Sequence, residues 1–222
     1  MFHEFLNIWR KKDLTFETLN ESIEMLREDQ EMFLEAVRSL RESDNGILRI
    51  DIYKKDKEVN KSERDIRKKV LTHLMLFDKT EITSGLVFAS IVIDIERIGD
   101  YTKNIADLAI LHKKKLIAGS FDNQVASIEN RVKGFFDITI KAFPESNAEL
   151  ARKVLSEYKT LSYDCTMIKE SLIKKENKLN GSEAVTLALY LRFLKRVAAH
   201  LFNICSSVVN PFHRIGYKEK KK

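Results

Sequence analysis

The stretch DIERIGD at positions 94–100 lies inside a long apolar helical pattern, yet it carries charge beside an expected core. Steps of three, four and seven residues place the apolar side chains on one helical stripe: Val87, Ile91, Ile95, Ile98 and Ile105. Glu96 and Asp100 are four residues apart, so in a helix they lie only about 40° apart around the axis, at the border of that stripe. Carboxylates beside a core require a bound cation, a buried hydrogen-bond or ion-pair partner, or a solvent-filled groove.

The composition of the chain favours long helices. Only seven Gly and two Pro interrupt 222 residues, and no run of alternating β-branched residues predicts a strand. Hydrophobic residues make up 44% of the chain, which is enough for a packed core. The sequence therefore predicts an all-α protein.

Breaks in the apolar periodicity and capping residues divide the chain into six helices. Their expected ranges are about 14–42, 48–77, 82–113, 123–143, 148–175 and 183–210. Pro144 is expected to end the fourth helix, Asn147 to cap the fifth and Ser182 to cap the sixth, which ends before Pro211.

The two halves of the chain look like copies of each other. At a displacement of 99 positions, residues 96–100 coincide with residues 195–199, and Asn104 coincides with Asn203. Carboxylates occupy the first copy, whereas Lys195 and Ala199 stand at their positions in the second.

This repeat predicts two pseudo-symmetric three-helix bundles side by side. The first bundle would span 14–115 and the second 121–210. An amphipathic segment, 1–13, precedes them and a basic tail, 211–222, follows, whose charged end at 218–222 is expected to be solvated. The longest apolar run is too short to span a membrane and the start has no signal peptide, so we expect a cytoplasmic protein with at most peripheral membrane contact.

Several classes of function are disfavoured. The net charge of +6 comes largely from the tail, and basic and acidic residues alternate elsewhere, so nucleic acid is not an expected partner. No Gly-rich phosphate loop, nucleophile motif or Glu-x-x-His pair indicates an enzyme. Cys165 and Cys205 are expected to be buried free thiols, and each His an isolated core or surface residue.

The motif Glu-Arg-Ile-Gly-Asp at 96–100, continuing to Asn104, resembles the signature of the PhoU-like phosphate uptake regulators. A second match lies upstream at 56–60, followed by Glu63 and Ile66. The resemblance covers residues 14 to 210 and implies the paired three-helix bundles, which in that family form one rigid body. It also implies that helix-borne carboxylates hold metal ions, iron or similar.

Two interpretations of the carboxylates remain open. In the first, Glu63, Glu96 and Asp100 bind one divalent metal or iron in the first bundle only, since oxygen ligands suit Mg, Mn, Ca or iron. In the second, no metal binds and cations pair with the carboxylates. Arg67 replaces a carboxylate that the family pattern carries four residues after Glu63, and Arg97 is the other candidate partner.

Three further residues are weaker candidates, and two asparagines are interpreted as structural. Asp56, Asn60 and Asp94 are possible members of the same site, although solvated charge on a helix face is the simpler interpretation. Asn104 and its counterpart Asn203 are interpreted as structural residues that bond a facing backbone group.

The resemblance implies a non-enzymatic regulator that restrains phosphate uptake and relays phosphate status to a membrane sensor kinase. Its helix surfaces would dock on a transporter ATPase or permease component or on a sensor histidine kinase. Family habit and exposed apolar helix positions indicate a homodimer. The alternatives are a metal-binding bundle that handles iron or manganese, and a purely structural helical adaptor.

Overall fold

Apolar residues at helical spacing fold the chain into six long helices over residues 13–76, 82–174 and 178–219, which the computed structural model describes. The helices are α1 (Asp13–Glu42), α2 (Ile52–Leu76), α3 (Ile82–His112), α4 (Asp122–Glu145), α5 (Ala148–Ile173) and α6 (Gly181–Val209). No strand occurs in these ranges, and the predicted all-α class is confirmed. None of the helices described is long and apolar enough to cross a bilayer.

The helices form two three-helix bundles, α1–α3 and α4–α6, which meet mainly along α3 and α6. Helix α1 also contacts α4. Aromatic rings cross this junction: the ring centroids of Phe33 and Phe136 are 5.3 Å apart, and those of Phe88 and Phe143 are 5.9 Å apart. One continuous apolar core therefore runs through both bundles.

The ends of α4, α5 and α6 follow from local hydrogen bonds. Asn147 caps α5 as predicted, because its side chain accepts the N–H of Leu150 at 3.0 Å. The cap of α6 is Asn180 rather than Ser182, because Asn180 and Glu183 form a reciprocal capping box. Helix α4 passes Pro144 and ends one residue later, where Ser146 adopts the left-handed conformation. A proline in the last turn is tolerated because almost no helix follows it.

The start of α2 differs from the sequence prediction. It begins at Ile52 rather than near Leu48, because the Asp51 carboxylate accepts the N–H of Lys54 at 2.9 Å and caps the helix there. The preceding loop turns at Gly46, whose φ of +63° favours glycine. Leu48 and Ile50 pack against the core from this loop.

The two terminal segments have different outcomes. The amphipathic N-terminal segment lies outside the described residues except for Asp13. Of the charged end expected to be solvated, Lys218 is exposed and 220–222 lie outside the described residues, whereas the Glu219 carboxylate accepts two hydrogen bonds from Arg152, each 2.8 Å long. Gly216 also donates its N–H to the Ser206 hydroxyl at 2.7 Å. This part of the tail is held against α5 and α6.

Candidate functional site

The carboxylates of the motif gather where α2 meets α3. We call Asp56, Glu63, Glu96 and Asp100 the acidic cluster. Asp56 and Glu63 are buried, and the Glu96 side chain is mostly so. Burial raises the pKa of Glu96, and the charges of Asp100, Glu63 and Asp56 add to that rise, since like charges disfavour ionisation. The helices thus concentrate negative charge that needs compensation.

Asp29 is a further carboxylate at this site, which the sequence analysis missed. It lies on α1, is completely buried, and neither of its oxygens has a hydrogen-bond partner among the described residues. Burial raises its pKa well above the usual range, and the charges of Glu28, Asp56, Glu96 and Asp100 act in the same direction. The signal for it was in the sequence, because Asp29 falls three residues after Leu26 in the apolar stripe of α1.

Gly99 lets α1 and α3 approach closely at Asp29. A Cβ atom added to Gly99 would lie 2.9 Å from Asp29 Oδ1 and 3.5 Å from the end of the Met32 side chain. The glycine of the motif therefore leaves room for a buried carboxyl group on the neighbouring helix. This explains in physical terms why a small residue stands between the two charged positions of the motif.

We expect Gly99→Ala to lower the free energy of unfolding by about 1 to 2 kcal/mol, because the added methyl group displaces Asp29 in a packed core. Gly134→Ala is the matched control, since a Cβ there meets nothing within 4 Å. That substitution should raise the free energy of unfolding by roughly 0.5 to 1 kcal/mol, the usual gain of Ala over Gly inside a helix. Urea denaturation followed by circular dichroism measures both. Equal effects of the two substitutions would contradict the close approach.

Lys103 is the main cation of the acidic cluster. Its ammonium group lies 2.7 Å from Asp56 Oδ2 and 3.2 Å from Asp100 Oδ1, which links α2 to α3. Burial lowers the pKa of Lys103, but the hydrogen bonds and charges of Asp56 and Asp100 outweigh it, and the pKa is raised. Lys103 therefore stays charged and compensates two of the carboxylates.

Two arginines compensate the others. Arg67 donates to Glu63 at 3.0 Å within α2. Arg97 lies 3.1 Å from Asp100 and 3.5 Å from Glu96 within α3. Both guanidinium groups are largely exposed, so each pair contributes little stability in water. Within the described ranges no ion pair joins Arg67 to Glu96 or Asp100.

The arrangement does not fit a metal site. A divalent cation needs several oxygen ligands that converge on one point. Among the residues that the structure describes, no three His, Cys, Asp or Glu side chains are placed to hold an ion. Asp56, Glu63 and Asp100 already face ammonium or guanidinium groups. We therefore assign no role to a bound metal at this site.

The weaker candidates lie in two different places. Asn60 donates to Asp56 at 3.4 Å and so borders the acidic cluster. Asp94 does not belong to it and is not a solvated charge, because it faces α6. Its Oδ1 atom lies 2.7 Å from His200 Nδ1 and accepts the Asn203 side-chain N–H at 2.8 Å.

Contacts between α3 and α6 correct two further predictions. His200 is not isolated, because it pairs with Asp94 and stacks on the Tyr101 ring at 5.7 Å between centroids. Asn203 bonds a side chain rather than a backbone group. Asn104 is half-buried, and its side chain forms no hydrogen bond with a backbone group in the part of the chain that the structure describes. The repeated asparagines therefore differ in role.

A second link joins the bundles through Arg41 of α1. Its guanidinium lies 3.0 Å from Glu129 and 2.9 Å from Asp122, and it also donates to the carbonyl of Leu116. The Tyr190 hydroxyl donates to Glu129 at 2.8 Å. Burial raises the pKa of Glu129 more than Arg41 and Tyr190 lower it. No local spacing predicts this contact, because it joins residues far apart in the chain.

The second bundle carries different chemistry at the equivalent place. Lys195 donates to the Thr166 hydroxyl at 3.1 Å where the first bundle has Glu96. Asp164, the carboxylate that remains nearby, lies 2.5 Å from Arg131. Cys165 and Cys205 are free and buried, as predicted, and burial raises the pKa of each thiol to about 12. Buried thiols with such pKa values are unreactive.

Fold and motif together define a protein of two linked three-helix repeats with a charged motif in the first. Residues 22–109 and 125–208 both match the PhoU domain family, so each match lies within one bundle. The two matches cover most of the chain, and the chain belongs to the PhoU family, a family of phosphate transport regulators.

Individual relatives agree with this assignment. A phosphate-specific transport system accessory protein PhoU homolog from Pseudomonas putida is 26% identical over 179 residues, which cover 79% of this chain and 70% of that protein. The crystal structure of PhoU from Pseudomonas aeruginosa superposes with a TM-score of 0.80 at 22% identity, over 88% of this chain and 95% of that one. The structure of the phosphate transport system regulatory protein PhoU from Streptococcus pneumoniae gives 0.77 at 18% identity, over 87% and 92%.

Proposed function

We propose that the protein is a non-enzymatic, cytoplasmic regulator of phosphate transport that docks through its helix surfaces on a membrane transport or signalling complex. The observation that supports this most is the match of both repeats to the PhoU domain. The partner would be the ATPase or permease component of a phosphate transporter, or a sensor histidine kinase. A homodimer is the proposed assembly.

An apolar strip on α3 offers a surface for this docking. Ile82, Leu86 and Ile93 stay exposed, at 44%, 39% and 38%. Their spacing of four and seven residues places them on one face of the helix. Anchors at such spacing are typical of a helix that packs against a groove or a second helix. We therefore assign partner contact to this α3 strip.

The test is an affinity purification of the tagged protein from solubilised cells grown in high and in low phosphate. We expect a phosphate transporter component or sensor kinase to co-purify in an amount that changes with phosphate. Leu86→Asp combined with Ile93→Asp should abolish recovery, because charge on the strip prevents its burial. Ile173→Asp is the control, since it alters an apolar side chain on α5 that is also exposed, at 72%, and lies outside the strip. Recovery of neither component from any sample would refute the proposal.

For the acidic cluster we propose an ion-pair role in place of a metal site. Lys103 supports it most, since one ammonium group bridges carboxylates from two helices. The ammonium group of Lys103 neutralises the negative charge that a bound metal ion would otherwise neutralise. The cluster would then fasten α2 to α3 and keep the α3 strip in place.

Metal content and stability separate the two interpretations. We expect the purified protein to contain far less than one equivalent of iron or manganese by elemental analysis. Lys103→Met should lower the free energy of unfolding by about 1 to 2 kcal/mol, because it leaves buried Asp56 without its cation. Stoichiometric metal that Glu96→Ala and Asp100→Ala remove would establish the metal site and overturn the ion-pair role.

A further inference from the structure

A pocket of about 390 Å³ lies between α5 and α6 and is strongly basic. Four cationic side chains line it: Lys169 from α5, and Arg192, Lys195 and Arg196 from α6. No carboxylate is among its lining residues. Most basic residues of this chain alternate with acidic ones, so this concentration of a single charge is unusual for the molecule.

None of these four cations forms an ion pair within 4.0 Å across residues 13–76, 82–174 and 178–219. Lys195 is half-buried and held in place by the Thr166 hydroxyl, which in turn donates to the carbonyl of Ser162 at 2.9 Å. An ammonium group fixed by a neutral hydroxyl keeps its full charge available to a ligand.

The internal repeat shows that this pocket inverts the charge of its counterpart. Lys195 stands where the first bundle has Glu96, and Ala199 stands where it has Asp100. The place that is acidic and filled by Lys103 in the first bundle is basic and open in the second. The two bundles share a fold but present opposite charges at equivalent surfaces.

We propose that this pocket binds a small anion with at least two linked phosphate groups. Arg192 and Arg196 are one helical turn apart, and Lys169 approaches from a helix whose axis is roughly 8 to 10 Å away. Four positive charges exceed the charge of about −2 that one phosphate group carries at neutral pH, and two linked phosphate groups come closer to matching them. Guanidinium groups match phosphate oxygens in pairs. This inference does not depend on the transport role proposed above.

The pocket also has apolar lining residues. They are Tyr158, Ala188, Leu189 and Leu191. Leu189 is partly exposed and offers an apolar surface to an organic group attached to the phosphates. Ligand sites of this kind combine an apolar wall with a few placed charges. The ligand class is therefore a phosphorylated organic molecule such as a nucleoside diphosphate.

Isothermal titration calorimetry with pyrophosphate and with ADP tests the proposal. The measurement is made at physiological ionic strength, which screens charges more than about 8 Å apart and suppresses diffuse attraction. We expect one saturable site per chain for each ligand, and weaker binding of orthophosphate. A failure of both pyrophosphate and ADP to bind at millimolar concentration would overturn the proposal.

Two variants locate the site. Arg192→Ala combined with Arg196→Ala should weaken pyrophosphate binding by about tenfold or more, because two charge-assisted contacts are lost. Both side chains are exposed, so folding is expected to persist, and circular dichroism checks this. Lys141→Ala combined with Lys153→Ala is the control, since it removes the same charge from exposed positions outside the pocket. Equal loss in both double variants would show only unspecific attraction and refute the site.

Discussion

Replacing Arg41 by alanine is expected to lower the free energy of unfolding by about 3 to 5 kcal/mol, the usual cost of removing one partner of a buried ion pair. Its guanidinium is 15% exposed, and the Glu129 carboxylate beside it is 9% exposed. Burial lowers the pKa of Arg41, but the contacts with Glu129 and Asp122 outweigh that effect and raise the pKa above its usual value. Without Arg41, the buried Glu129 loses its ion pair and keeps the hydrogen bond from the Tyr190 hydroxyl.

Chemical denaturation of the wild type and of Arg41→Ala measures this effect. Arg27→Ala is the matched control on the same helix, because Arg27 pairs with Glu24 at 3.5 Å with both side chains well exposed. We expect a change below about 0.5 kcal/mol there. A loss at Arg41 no larger than that at Arg27 would show that this contact does not hold the bundles together.

Asp29→Asn is expected to stabilise the protein at neutral pH, by on the order of 2 to 3 kcal/mol, because the amide cannot ionise at this buried position, where neither carboxyl oxygen has a hydrogen-bond partner among the described residues. Burial raises the pKa of Asp29 in the folded state, so the folded protein holds a proton that the unfolded chain releases above about pH 4. The unfolded state then binds fewer protons, and the stability of the wild type falls as pH rises from about 4 towards the raised pKa.

The comparison of pH profiles isolates Asp29. We expect the wild type and Asp29→Asn to have similar stabilities near pH 4 and to diverge as pH rises to 7. Asp65→Asn, at an exposed position on α2, should follow the wild type throughout. Parallel profiles for the wild type and Asp29→Asn would mean that Asp29 has a cation or hydrogen-bond donor in solution.

The fold was largely predictable because its signals are local. The scarcity of Gly and Pro, the apolar stripes and the repeat at 99 positions determine helices and bundles without knowledge of long-range contacts. The errors in the predicted helices lie at their ends, where a single capping side chain determines the first residue of the helix. Asp51 caps α2 later than its expected start near 48, and Asn180 caps α6 where Ser182 was expected.

The site was less predictable because its partners come from other helices. Arg67 with Glu63 and Arg97 with Asp100 lie within one helix, and sequence spacing identified them. The partner of Asp56 is Lys103, which is 47 residues away. The contacts of Asp94 with α6 likewise require knowing that α3 and α6 are neighbours. Spacing along one helix carries no information about such pairs.

The uptake of radiolabelled phosphate by cells with and without this chain tests the proposed regulatory role most directly. The account predicts that cells lacking the chain take up more phosphate in phosphate-rich medium. Expression of the wild-type chain in these cells should lower phosphate uptake again. Expression of the variant with Leu86→Asp and Ile93→Asp should not. Unchanged uptake in cells that lack the chain, or full restoration by that double variant, would contradict regulation through the α3 strip.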